Sequence, residues 1–208
     1  MRRPAAIVID VESFERAAAV LSREGVLIYP TETFYGLGGD PRMEPVVDRI
    51  YRIKGRDSGK ALPLIASDLP AARKAVSLWP ETAERLAAAF WPGPLTLLLP
   101  AAPSLPPALH AGTGSIALRI SSHPLARALA ERAGGLLIAT SANRSGEPAC
   151  RRVVDIPAAL AALVDVVIDG GELPGGLPST IVAVTPSGIE LVRSGCISFE
   201  DVLGVGRN

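Results

Sequence analysis

The chain is poor in aromatic residues, in lysine and in cysteine, and it carries no net charge. Lys+Arg and Asp+Glu are 21 each. A protein that binds nucleic acid non-specifically is usually strongly basic, so that class loses weight at once. Two cysteines, Cys150 and Cys196, make neither a disulfide framework nor a zinc site by themselves. There is no run of about 18 apolar residues, which excludes a membrane-spanning helix. A secretory signal is not expected either: after Arg2 and Arg3 the apolar stretch Ala5–Ile9 stops at Asp10, short of a hydrophobic region. These absences lead to the expectation of a reduced, cytoplasmic, soluble protein.

Hydrophobic residues make up 48% and charged residues 20% of 208 residues, which supports a real core and argues against disorder. Twenty Gly and nineteen Pro are scattered between apolar segments and read as turns. Only Lys54, Lys60 and Lys74 are lysine, against eighteen arginines, so the 54–60 interval stands out in an arginine-dominated chain.

Periodicity predicts helices over Ser13–Glu24, Glu44–Ile53, Leu69–Val76, Glu81–Phe90, Pro124–Ala133, Pro157–Leu163 and Phe199–Leu203. Strands are expected at Val26–Tyr29, Ala61–Ala66, Leu95–Leu99, Ile116–Ile120, Leu136–Ala139, Val166–Ile168, Thr180–Val184 and Ile189–Val192. Thr31–Asp40, with Gly36, Gly38 and Gly39, reads as a loop. Strands alternate with helices early and cluster late. The expected fold is therefore α/β (α+β), a single domain with a twisted mixed sheet flanked by helices.

Four polar segments fall where apolar strands end: Thr31-Glu32-Thr33, Lys54–Lys60, Thr140–Asn143 and Pro178-Ser179-Thr180. In α/β sheets such ends are where ligands bind. None is a P-loop, Gly36-x-Gly38 lacks the third dinucleotide-binding glycine, and no G-x-S-x-G hydrolase string occurs. Taken singly, each has an ordinary explanation. Thr31 and Thr33 suit a turn or cap, Ser141 and Asn143 a cap and a turn, and Lys54 and Arg56 the cationic end of a helix. Together they describe a hydroxyl- and amide-rich pocket with two cations, suited to a polyanion and a small zwitterion.

At these residues the chain resembles the YrdC/Sua5 family of threonylcarbamoyl-adenylate synthases. The resemblance runs through Pro30-Thr31-Glu32-Thr33-Phe34-Tyr35-Gly36-Leu37-Gly38, Lys54-Gly55-Arg56 with Pro63-Leu64, and Trp91-Pro92-Gly93-Pro94-Leu95-Thr96. It continues through Arg119, Thr140-Ser141-Ala142-Asn143-x-Ser145-Gly146, Pro178-Ser179-Thr180-Ile181-Val182 and Arg193-x-Gly195. The motifs keep family order over about residues 13–203. One departure is local: Ser121 stands where the family often has a proline. The resemblance implies the short form, with residues 1–208 as one YrdC-like domain and no C-terminal Sua5 domain.

The implied reaction condenses L-threonine, bicarbonate and ATP into threonylcarbamoyl-AMP and pyrophosphate, for threonylcarbamoyladenosine at position 37 of tRNA. By resemblance, Lys54, Arg56, Ser141 and Asn143 form the central catalytic tetrad. Thr31 and Thr33, with Arg56, are the expected threonine contacts. Lys54, Arg119, Thr140, Ser141, Asn143, Ser179 and Arg193 are the expected nucleotide contacts, and Lys60 is left between a ligand contact and a solvated side chain. Mg²⁺ is expected with ATP, carried on phosphates, since no Asp/Glu cluster marks a protein metal site. Implied partners are the downstream threonylcarbamoyl-transferase proteins and a contact with tRNA or double-stranded RNA. Two alternatives share the fold: a YciO-like paralogue with different nucleotide chemistry, and a double-stranded RNA-binding module.

Overall fold

A computed structural model describes residues 11–55 and 59–206. Its elements are α1 (Val11–Leu21), β1 (Leu27–Pro30), β2 (Tyr35–Gly38), α2 (Glu44–Lys54), β3 (Leu64–Ala66), α3 (Leu69–Lys74) and α4 (Glu81–Phe90). They continue with β4 (Leu95–Pro100), β5 (Ser115–Arg119), α5 (Pro124–Arg132), β6 (Leu136–Ile138) and β7 (Thr140–Ser141). The last are α6 (Ala158–Ala161), β8 (Val166–Val167), β9 (Thr180–Thr185), β10 (Gly188–Arg193) and α7 (Phe199–Gly206).

The expected α/β mixture, with parallel and antiparallel pairing and flanking helices, is present. The strands are divided between two sheets, a feature that hydropathy does not encode. One has four strands in the order β7-β2-β1-β8, the other six in the order β10-β9-β4-β5-β3-β6. Alternate residues of the central strands serve different layers. Ile28, Leu64 and Ile138 pack into the larger core, while Leu27, Ile65 and Leu137 pack into a second core with Ala17, Leu21, Ala126 and Leu129 from α1 and α5. This is the period-2 geometry of strands buried on both faces.

The segment expected as a loop at Thr31–Asp40 contains a strand, β2, paired antiparallel with β1 from Pro30↔Tyr35 to Leu27↔Gly38. Its glycines lower strand propensity, which is why the sequence points to a loop. Tertiary contact reverses that reading: a Cβ at Gly38 would lie 1.9 Å from the Ile138 carbonyl oxygen. Only glycine lets β2 pass this close to β6. The phenol of Tyr29 reinforces the crossing by donating to the same Ile138 oxygen at 2.8 Å.

Candidate functional site

The site is made where the chain passes from one sheet to the other. β6 pairs with β3 in the six-stranded sheet, and two residues later β7 pairs with β2 in the four-stranded sheet, Gly36↔Ser141. Between them the Ala139 amide donates to the Pro63 carbonyl at 2.8 Å. A cleft of about 550 Å³ opens beside this crossing. Its walls include Lys54, Lys60, Thr140, Ser141, Asn143, Ser179 and Arg193. Phe34, Pro63, Ala117 and Ile181 supply apolar surface.

Lys54 ends α2 and is only 3% exposed. Its ammonium donates to the Ser141 carbonyl at 2.5 Å, the Asn143 carbonyl at 2.8 Å and Asn143 Oδ1 at 3.0 Å. The Ser141 hydroxyl also donates to Asn143 Oδ1, at 2.5 Å, and Asn143 Nδ2 donates to the Glu147 carbonyl. In return the Lys54 carbonyl accepts from the Ser145 amide at 3.0 Å. A buried cation requires such a shell of oxygens, and here the shell is the end of β7 and the loop after it. Three of the four tetrad residues are thus one hydrogen-bonded unit. Arg56 lies outside the described residues.

A second cluster on the cleft wall rests on Ser179. Thr96, fully buried on β4, donates its hydroxyl to Ser179 Oγ at 2.9 Å. Arg193 donates through Nη2 to Ser179 Oγ at 3.0 Å and to the Ser179 carbonyl at 2.7 Å. Register explains the meeting: Ile181 on β9 is opposite both Thr96 and Arg193. The return after β10 lies directly on this segment, and a Cβ at Gly195 would be 2.2 Å from the Pro178 carbonyl oxygen. Glycine is therefore obligatory in Arg193-x-Gly195. Partial burial and the nearby charge of Arg119 both push the Arg193 guanidinium below its usual pKa.

Thr31, Thr33 and Arg119 do not line the cleft, although Phe34 from the same turn does. The Thr31 hydroxyl donates to the Phe34 carbonyl at 2.7 Å and accepts from the Thr33 amide at 3.3 Å, so it closes its own turn. Arg119 is held by a residue that the sequence reading did not single out: its Nε donates to Glu32 Oε1 at 2.9 Å, in a pair 9% and 12% exposed. Ser121 donates its hydroxyl to Glu32 Oε2. Burial pushes the Glu32 carboxyl up, but Arg119 and the donors from Ser121, the backbone and Arg119 pull it net below the usual carboxylate range. In the sequence Glu32 is one acid between two threonines just past β1, with no pattern of its own to set it apart. Thr96, Ser145 and Glu147 were also unassigned; the first two lie inside quoted motifs, whereas Glu147 has no sequence signal of its own.

Among the described residues no group of three or more His, Cys, Asp or Glu is placed to hold a metal ion, and no helix is long and apolar enough to cross a membrane. The cleft thus offers cations, hydroxyls and amides to an anionic ligand, above an apolar floor.

The family model Sua5/YciO/YrdC, described as telomere recombination, matches residues 19–195. A threonylcarbamoyl-AMP synthase of Bacillus subtilis is 36% identical over 191 residues, covering 91% of this chain and 55% of that protein. One of Alkalilimnicola ehrlichii is 38% identical over 185 residues, covering 88% of this chain and 92% of that protein. Among solved structures, P. abyssi Sua5 complexed with L-threonine overlays with a TM-score of 0.88 at 33% identity, covering 92% of this chain and 56% of that one. E. coli YciO overlays with a TM-score of 0.79 at 28% identity, covering 89% and 90%. The chain therefore spans little more than half of the B. subtilis and P. abyssi relatives, and most of the other two.

Proposed function

The chain belongs to the Sua5/YciO/YrdC family, and from that membership we propose that it is a threonylcarbamoyl-AMP synthase. It joins L-threonine, bicarbonate and ATP into threonylcarbamoyl-AMP, pyrophosphate and water, in the cytoplasm, for position 37 of tRNA. The observation that carries this reading is the Lys54–Ser141–Asn143 unit lining one cleft together with Ser179 and Arg193. The synthase names of the relatives and the closer overlay with Sua5 than with YciO support it over the paralogue reading. Zero net charge weighs against RNA binding as the main role.

Chemically, the threonine amine captures carbon dioxide with loss of a proton, or bicarbonate with loss of water, as a carbamate, whose oxygen attacks the α-phosphorus of ATP and expels pyrophosphate. Two anions must be held together against their repulsion, and charge grows on phosphate oxygens as the bond forms. Fixed donors and cations therefore do most of the catalysis. Lys54 fixes the Ser141–Asn143 loop from within, and Arg56 makes bidentate contacts with phosphate or carbamate oxygens. Ser141 and Asn143 orient those oxygens, and Thr140 supports them on the same strand. Arg193 and Ser179 hold the nucleotide side, with Arg119 behind them. Lys60, on the cleft wall, adds positive potential for the pyrophosphate. The Thr31–Phe34 turn, which reaches the cleft through Phe34, forms the threonine side.

Mg²⁺ fits this site as an ion carried by ATP: Glu147 is the single carboxylate among the described lining residues, so most ligands would be phosphate oxygens and water. When bound it neutralises phosphate charge. The adenylate passes to a threonylcarbamoyl-transferase that docks tRNA.

Pyrophosphate release, with mass spectrometry of the adenylate and with threonine or bicarbonate omitted in turn, tests the reading. Release must require both substrates, and the product must carry threonine, the carbamoyl carbon and AMP. Threonine-independent release would point to the paralogue instead.

A further inference from the structure

Ser121 is wholly buried, two residues beyond the end of β5. In this chain the Ser121 hydroxyl donates to Glu32 Oε2 and accepts from the His123 amide at 3.1 Å. The Ser121 carbonyl accepts from Arg127 Nη1 at 2.7 Å. The other Glu32 oxygen takes the Arg119 guanidinium. Each carboxylate oxygen thus has a donor from a residue that follows or ends β5.

We propose that Ser121 is a positioning residue for the threonine side of the cleft: its hydroxyl locks the Glu32 carboxylate against Arg119, and Glu32 thereby holds the Thr31–Phe34 turn at the cleft wall. Its link to threonine rests on the synthase reading. Among the described residues no other side chain of the turn is tied outside it by a hydrogen bond: the Thr31 hydroxyl is spent inside the turn, and the remaining anchor is backbone, the Gly175 amide donating to the Thr33 carbonyl at 2.9 Å. A carboxylate held by a single charged partner on a flexible side chain can swing; one held at both oxygens cannot.

The groups facing Glu32 are Arg119 and Ser121 from β5 and its end, His123 at the start of α5, and Tyr29 from β1. Arg127 of α5 acts on His123, whose own pKa is lowered by burial. His123 Nδ1 is buried without a hydrogen-bond partner. Loss of the Ser121 donor raises the Glu32 carboxyl towards its ordinary value, so the turn loosens at a higher pH than in the wild type.

The test compares wild type, Ser121→Ala, Glu32→Gln and the double variant, after melts show that each is folded. Ser121→Ala should raise the KM for threonine roughly fivefold or more, with kcat and the KM for ATP within about twofold. The acid limb of kcat/KM for threonine should move to higher pH. In the Glu32→Gln background, Ser121→Ala should add nothing further, since the two act as one unit. An unchanged threonine KM and acid limb, or the same loss with and without Glu32, overturns the proposal. If the wild type shows no threonine-dependent pyrophosphate release, the synthase reading has failed. The clamp is then judged separately by carbon-13 titration of the Glu32 carboxyl in wild type and Ser121→Ala. An upward shift of about half a pH unit or more supports the clamp, and an unshifted titration overturns it.

Discussion

Lys54 and Asn143 are joined at two points: one ammonium binds both the backbone carbonyl and the side-chain oxygen of Asn143, at 2.8 and 3.0 Å. With the third bond to the Ser141 carbonyl, the end of α2 is fastened to the loop after β7. The hydroxyl and amide of the cleft wall are therefore set by a charge 87 and 89 residues earlier in the chain.

Lys54→Ala should lower kcat/KM by roughly a hundredfold or more and destabilise the fold by about 1–3 kcal/mol, because three oxygens lose a charged donor. Lys54→Arg should not rescue it, since a planar fork cannot aim three donors at converging oxygens. Pyrophosphate release and thermal melts measure both effects. Lys74→Ala, on exposed α3, serves as the control and should change neither.

Arg56→Ala should also lose roughly a hundredfold in kcat/KM, but with little change in stability. Arg56→Lys should stay impaired, because the charge is kept and the bidentate geometry is lost. A purely helix-dipole role would leave both variants with near-normal turnover and at most about 1 kcal/mol of stability change.

Arg193→Ala removes a cation from the cleft wall and two donors from Ser179. The KM for ATP should rise by about tenfold or more while the KM for threonine holds. Ser179→Ala should follow in the same direction with a smaller effect, since it strips an acceptor from both Thr96 and Arg193. Equal rises for both substrates would mean that the wall is not selective for the nucleotide.

Glu32 makes stability depend on acid. Its folded carboxyl titrates below the unfolded value of about 4.3. It therefore stabilises the fold above that value, and the contribution is lost as pH falls through the folded value. Urea melts between pH 3 and 7 should show a steeper acid loss in wild type than in Glu32→Gln, which should be the less stable of the two at neutral pH.

Serine should be a poor substitute for threonine in pyrophosphate release. One missing methyl in an apolar subsite forfeits about 1–3 kcal/mol, which is roughly ten- to two-hundredfold in kcat/KM. Equal turnover would show that no such subsite exists.

By itself the sequence determined the elements whose pattern is local. The bounds Glu81–Phe90 for α4 are those that periodicity predicts, and α2 differs by one residue because its apolar face and closing Gly55 lie within a few positions of each other. It also marked the polar strand ends, and motif order alone identified the family before any geometry. Only the tertiary structure decided what depends on distant partners. β2 is a strand because Gly38 must pass against Ile138, so its glycines reflect a close approach that propensity reads as a loop. The two sheets exist because the chain changes partners between Ile138 and Thr140, which no periodicity records. The roles within the site divide in the same way. Thr31 closes its own turn while Glu32, unmarked beside it, reaches Arg119 and Ser121 nearly ninety residues on. A motif names the residue types a reaction needs; which of them meets the ligand and which holds a neighbour follows from where the fold brings their charges together.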